Sequence, residues 1–444
     1  MSTTKQNTSE NKTSGGNPQN GEGTSTNLIS IGINIGAQNT IYSSFSKVNT
    51  KSFISQVLLS DVASRVIPSI LVYTDDHRLY GETAKASMKR FFDSTYINLS
   101  RLIGFNPECE FYLREFGEDK DKKYPKYSYL GRPLKNHSKK LTGKFQGYVD
   151  KPITKGKNQQ NHADEGNEKN YEEVSADIIL SDFLSLLHDF YFKQQNLNYD
   201  VITLSIPDYF TIYQKERMKT ILETIHKGKK VFVTTESTAI TMYYGYTKYR
   251  DMFIRGKIGV DQLIKKNIVF IDIGYSKTSF IFSTFNYKEF KIKKVKCLPF
   301  LGGRNLDFII LKKLMDKFTK KTEVIESMKK KRINNILDPK STYRLLESIE
   351  KTRKALTVNK DAMITVDSLY DEIDLEDEIK KEEFEQDIKV EFLDIFKKEL
   401  ELFLKDIRQS DVIDDIEMCG ELVRTPILQD IVKKLSKLEI SKKY

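Results

Sequence analysis

Short apolar runs alternate along this chain with longer stretches in which apolar residues recur every three or four positions. Val201 to Ile206 predicts a buried strand, and Val231 to Val233 predicts a second. Between them, Thr211 to Ile225 sets Ile212, Met218, Ile221, Leu222 and Ile225 on one helical face. Ser175 is placed to cap another helix, whose apolar face is Ile179, Phe183, Leu186, Leu187 and Phe190. Further helices are expected from about Ser237 and from Pro426, each following a strand. Strand and helix in alternation build layered α/β domains. Two polar tracts break the pattern. Residues 1–27 are almost wholly Ser, Thr, Asn, Gln, Lys and Gly, too polar to offset the entropy of ordering, and are expected to be a disordered tail. The tract at about 120–173 is expected to be an insertion within a domain.

One pattern occurs twice. Ile33-Asn34-Ile35-Gly36-Ala37-Gln38-Asn39-Thr40-Ile41 returns as Ile271-Asp272-Ile273-Gly274-Tyr275-Ser276-Lys277-Thr278-Ser279, at an offset of 238 residues. Each copy is followed by a β-rich run, Tyr42 to Ser46 and Phe280 to Thr284. A strand, a tight loop turned by glycine and a returning strand line up backbone N–H groups that can cradle a phosphate. Two such loops facing each other would grip a nucleotide from both sides. Taken alone, two unrelated β-hairpins would look the same.

Composition narrows the classes. A chain of 444 residues is too long for a single core, so two lobes are expected. With 39% hydrophobic, 11% aromatic and 30% charged residues, and a mean hydropathy of −0.48, it reads as a soluble protein. No stretch approaches the roughly 20 apolar residues of a spanning helix. A cytoplasmic or nuclear location without membrane contact is the expectation. The net charge of +10 comes from 72 Lys and Arg against 62 Asp and Glu. The lysines stand beside glutamates, as in Lys380 to Glu385, which describes solvated faces rather than a nucleic-acid stripe. Cys109, Cys297 and Cys419 are too scattered for a disulfide framework or a zinc site, and the five histidines show no ligand spacing.

The two loops, together with five further segments in the same order, resemble the heat shock protein 70 superfamily. Those segments are Gly81-Glu82-Thr83-Ala84-Lys85, Val201 to Phe210, Thr235-Glu236-Ser237-Thr238-Ala239, Leu301 to Asp307 and Cys419 to Pro426 with its Gly420. The likeness spans about Ile29 to Leu438 outside the insertion. A second loop without a glycine triplet, and Arg304 after Gly302 and Gly303, are similar to the heat shock protein 110 branch, while Glu236 follows the main branch.

The resemblance implies an α/β chain of the actin-like ATPase fold, with two lobes that each carry a duplicated ribonuclease H-like sheet and helices. Residues 28–265 would form lobe one with the insertion, 266–425 lobe two, and 426–444 a shortened end of the domain. Only 18 residues follow Pro426, so no peptide-binding domain is expected. ATP or ADP with magnesium would be the cofactor. Gly36 and Gly274 would form the phosphate loops, Lys85 would reach the reacting phosphate, and Glu236 and Asp272 would act through magnesium and its waters. Gly303, Glu350, Arg353, Lys354, Thr357, Gly420 and Arg424 match the segments that hold adenosine, with Arg353 and Arg424 available to sandwich the base. Read from residues alone, Glu350 to Thr357 is a charged helix face. A heat shock protein 70 chaperone and J-domain co-chaperones would be the partners.

The chain also departs from the family. Asn34 stands where an Asp is expected, Ala37 and Gln38 where hydroxyl residues are, and Tyr275 to Lys277 replace small residues. Glu421 occupies the place of a glycine that lets backbone approach the nucleotide. Like charges at about 4 Å repel by about 4 kcal/mol at an effective dielectric of about 20, and Lys277 is the candidate to offset this. Hydrolysis is therefore expected to be weak at most. Three readings follow: a 110-like co-chaperone that binds ATP and promotes nucleotide exchange, a divergent ATPase using Lys85, Glu236 and Asp272, and a scaffold that no longer binds nucleotide.

Overall fold

The computed structural model describes residues 29–49, 52–74, 76–101, 103, 150–152, 171–173, 176–254, 265–286, 289–331 and 338–440. The polar tail and Ser175 lie outside these residues, as does the tract at 120–173 except for an antiparallel pair formed by Asp150–Pro152 and Tyr171–Glu173.

Two sheets of the same topology organise the chain. In the first, Ser52–Val57, Asn39–Asn49 and Ile29–Ile35 run antiparallel, then Val201–Ile206 and Lys230–Thr235 are added parallel on the far side of Ile29–Ile35. In the second, Phe290–Leu298, Thr278–Phe285 and Lys266–Ile273 are antiparallel, and Asp415–Cys419 joins parallel. A parallel bridge from Ile416 to Ile440 stands where the first sheet has its fifth strand. The duplicated sheet with its helices is the actin-like ATPase fold.

Alternation explains the first sheet. Ile31, Ile33 and Ile35 are buried on one face, so Gly32 and Asn34 must point to the other. The helix Ala176–His188 covers this core with Ile179, Leu180, Phe183, Leu184 and Leu187. The helix Ile212–Ile225 opens on a capping box: the Thr211 hydroxyl accepts from the Gln214 N–H, and the Gln214 side chain accepts from the Thr211 N–H.

The central strand of the second sheet, Thr278–Phe285, is buried at every position. It is covered twice. Phe280 packs against Phe396 and Phe403 of the helix Asp394–Ile407, with centroids 5.8 and 5.6 Å away. On the other face Tyr244 lies against Phe270 and Phe285. Tyr244 belongs to the helix Glu236–Ile254, which leaves the first sheet at Thr235 and docks on the second. The sequence assigned that helix to the first lobe. Its packing joins it to both, because the apolar face carrying Ile240 and Tyr244 meets the second sheet.

Candidate functional site

The repeated loops close with the same hydrogen bond. The Gly36 N–H donates to Asn39 O at 2.9 Å, and the Gly274 N–H donates to Lys277 O at 2.9 Å. A Cβ on Gly36 would stand 2.7 Å from Asn39 O, so the first turn requires glycine. Both loops open on a cleft of about 620 Å³ between the sheets, which is also lined by Glu236, Asp272, Gly420 and Glu421. Glu236 reaches it because it starts the bridging helix, whose first turn is held by Asp208 through the Ser237 N–H and hydroxyl.

The two expected metal carboxylates do meet, but around a lysine. Lys277 Nζ lies 2.6 Å from Asp272 Oδ2 and 2.8 Å from Glu236 Oε2, and its side chain is 9% exposed. Burial alone would lower the Lys277 pKa, yet the carboxylates of Asp272 and Glu236 outweigh it and hold the ammonium well above its usual range. Asn34 turns its amide on the same group, donating to Glu236 Oε1 at 3.0 Å and to Ser205 Oγ at 2.9 Å. An Asp at this position would repel Glu236, whereas an amide binds it.

Other expected residues are brought near the cleft but spent on one another. Arg353 Nε is 2.6 Å from Asp307 Oδ1, with the two side chains 4% and 1% exposed. Lys354 pairs with Glu350 at 2.5 Å and with Glu421 at 2.6 Å. The Glu421 charge is thus met by Lys354, not by Lys277 as the sequence suggested, because Lys277 is committed within the cleft. Thr357 turns its hydroxyl back to Lys354 O, and Arg424 is exposed. Of the expected adenosine contacts, Gly420 lines the cleft; Gly303, Glu350, Arg353, Lys354, Thr357 and Arg424 do not. Lys85 is the plainest departure. It stands 3.9 Å from Glu347, 40% exposed, and is absent from the cleft wall.

The sequence marks Gln38 and Tyr275 only as departures from the family and does not mark Arg101, and the structure gives each of them a contact across or beside the cleft. Gln38 Nε2 donates to Glu350 Oε2 at 2.6 Å from the opposite lobe. Arg101, 1% exposed, donates to Tyr209 Oη, Ser276 Oγ and Pro299 O at 2.9, 3.1 and 3.2 Å. No motif marks Arg101, and the available signal was only an arginine after the apolar pair Tyr96 and Leu99. Tyr275 and Arg353 share the space over Gly303. Tyr275 Cδ2 is 3.3 Å from the point where a Cβ on Gly303 would stand, and Arg353 Nη2 is 3.6 Å from that same point. Enclosure, with Asp307 and Glu350 nearby, pushes the Tyr275 phenol well above its ordinary value.

These contacts bear on whether magnesium nucleotide fits. A divalent ion between Asp272 and Glu236 would meet the Lys277 ammonium; at about 4 Å and an effective dielectric near 20 that repulsion is about 8 kcal/mol. The N-terminus of the helix Gly303–Phe318, a natural anion site, is taken by the chain itself: the Gly303 and Arg304 N–H groups donate to Gly274 O and Tyr275 O at 3.1 and 2.8 Å. The side chains as arranged do not fit the group.

With the duplicated sheet and the paired loops in place, the class is an actin-like nucleotide-binding fold. The Hsp70 protein family matches residues 30–116 and 133–443, and the chain belongs to that family. Its curated relatives include a heat shock protein homolog of Saccharomyces cerevisiae, 22% identical over 382 residues, a match that covers 85% of this chain and 48% of that protein. "Heat shock 70 kDa protein 14" of Arabidopsis thaliana is 26% identical over 381 residues, 85% of this chain and 39% of its own length. "Heat shock protein hsp88" of Neurospora crassa is 26% identical over 260 residues, 58% of this chain and 34% of that protein. These relatives are of the heat shock protein 110 branch. The chain spans less than half the length of each. No helix among the described residues is long and apolar enough to cross a membrane.

Proposed function

We propose that this chain is a non-hydrolysing co-chaperone of the heat shock protein 110 kind, which promotes nucleotide exchange on a heat shock protein 70 partner. The observation that carries this reading is the Lys277 bridge. It ties Asp272 of the second sheet to Glu236 at the head of the bridging helix, so the lobes are clamped by protein charges at the place where hydrolysis would need a free carboxylate pair. A clamped body offers a partner a surface of fixed shape, which is what prying open a second nucleotide cleft requires. The relatives of the 110 branch support the same direction. The alternative of a divergent ATPase is disfavoured by Lys85, whose ammonium faces Glu347. Stopped-flow release of labelled ADP from a heat shock protein 70 chaperone tests the proposal. Acceleration that saturates with added chain is expected, and an unchanged release rate at saturation would reject it.

A further inference from the structure

We propose that the loop Tyr275 to Lys277 is an internal occupant of the nucleotide cleft: Tyr275 takes the place of the nucleoside beside Gly303 and Arg353, and Lys277 takes the place of the divalent cation between Asp272 and Glu236. The inference deepens the clamp reading above and shares its starting point, the Lys277 bridge.

Three separate features carry it. First, Lys277 supplies a positive charge between two carboxylates from different elements, at 2.6 and 2.8 Å, which is the service a metal ion gives in bringing anionic groups together. Second, the Tyr275 ring is flat and aromatic and shares the space over Gly303 with a buried arginine: Tyr275 Cδ2 and Arg353 Nη2 stand 3.3 and 3.6 Å from the point where a Cβ on that glycine would be, a glycine-floored space that suits a planar base. Arg353 Nη2 and Asp307 Oδ2 are buried without a hydrogen-bond partner beside it. A ring in place of a hydrogen-bonding base leaves such atoms unmatched. Third, the backbone carbonyls of Gly274 and Tyr275 accept from the helix amides at Gly303 and Arg304 that would otherwise face an anion. A nucleoside, a cation and a phosphate acceptor are each answered by one part of a single loop.

Such an occupant can be removed by substitution. Tyr275→Gly takes away the ring, and Lys277→Thr takes away the ammonium while leaving a hydroxyl of small size. Calorimetric titration of the full chain with Mg-ATP is the measurement. The unaltered chain is expected to show no saturable binding below the millimolar range, and the double variant to bind about 100-fold tighter or more. Micromolar binding by the unaltered chain, or a folded double variant that binds no better, would overturn the inference. Circular dichroism establishes folding. Should the double variant not fold, Lys277→Thr alone is titrated with Mn²⁺ and followed by electron paramagnetic resonance. A site present only in that variant supports the inference, and equal binding by both chains refutes it. The titrations contain no partner chaperone, so their outcome is independent of the ADP-release assay.

Discussion

Arg101 Nη1 in the first lobe lies 3.1 Å from Ser276 Oγ in the second loop, and the arginine is almost wholly enclosed. Its other nitrogen reaches Pro299 O, so one side chain spans the lobes with charge-assisted hydrogen bonds. Arg101→Leu removes the donors and leaves buried acceptors. A loss of about 3 kcal/mol in urea unfolding is expected, with a broadened transition as the lobes uncouple.

Lys85→Ala is expected to change stability by less than about 0.5 kcal/mol, because its pair with Glu347 is long and exposed. Phosphate release measured on the same preparations should be equal in the two chains. A large loss of turnover would return Lys85 to the reacting phosphate.

Gly420 has φ of +93°, and a Cβ there would collide with the Ile273 carbonyl. Gly228 has φ of +77° but open space around it. Gly420→Ala is therefore expected to cost about 3 kcal/mol, and Gly228→Ala about 1 kcal/mol, the strain of a left-handed backbone alone. Thermal melts of the two variants give the comparison directly.

His226 is buried, its Nδ1 is 2.8 Å from the Tyr199 hydroxyl, and its ring sits edge-on to His188 at 4.9 Å. Burial, then the His188 charge, lowers its pKa to about 3 from 6.5. The folded state thus resists protonation that the unfolded state accepts. Stability from neutral His226 is complete above pH 6.5 and falls as pH drops from there toward about 3, by about 1.4 kcal/mol per pH unit. Urea midpoints against pH should show that limb in the unaltered chain and a flatter one in His226→Gln.

Much of the architecture was legible because local patterns specify it. The repeat around Gly36 and Gly274 marks both turns, and the helix after Thr211 follows from its apolar face and cap. The cleft was read less well, for a physical reason. Lys277 is one loop lysine among many until Glu236, 41 residues earlier, is folded beside it. Tyr275 reads as the replacement of a small loop residue, and only the folded position of Gly303 shows which space its ring takes. Lys85 matched a motif, but its motif fixes a helix and not where the ammonium ends up. Contacts between lobes depend on how two domains meet, which no run of neighbouring residues encodes.

The helix Glu236–Ile254 has its first residue in the cleft and its body on the second sheet. Any swing of one lobe against the other must move this helix along with the sheet it rests on, and so pull Glu236 away from Lys277 or Asn34. It serves as axle and bolt together. A partner that grips either lobe would therefore feel the stiffness of the whole molecule, with the load shared between the buried charges of Lys277 and Arg101.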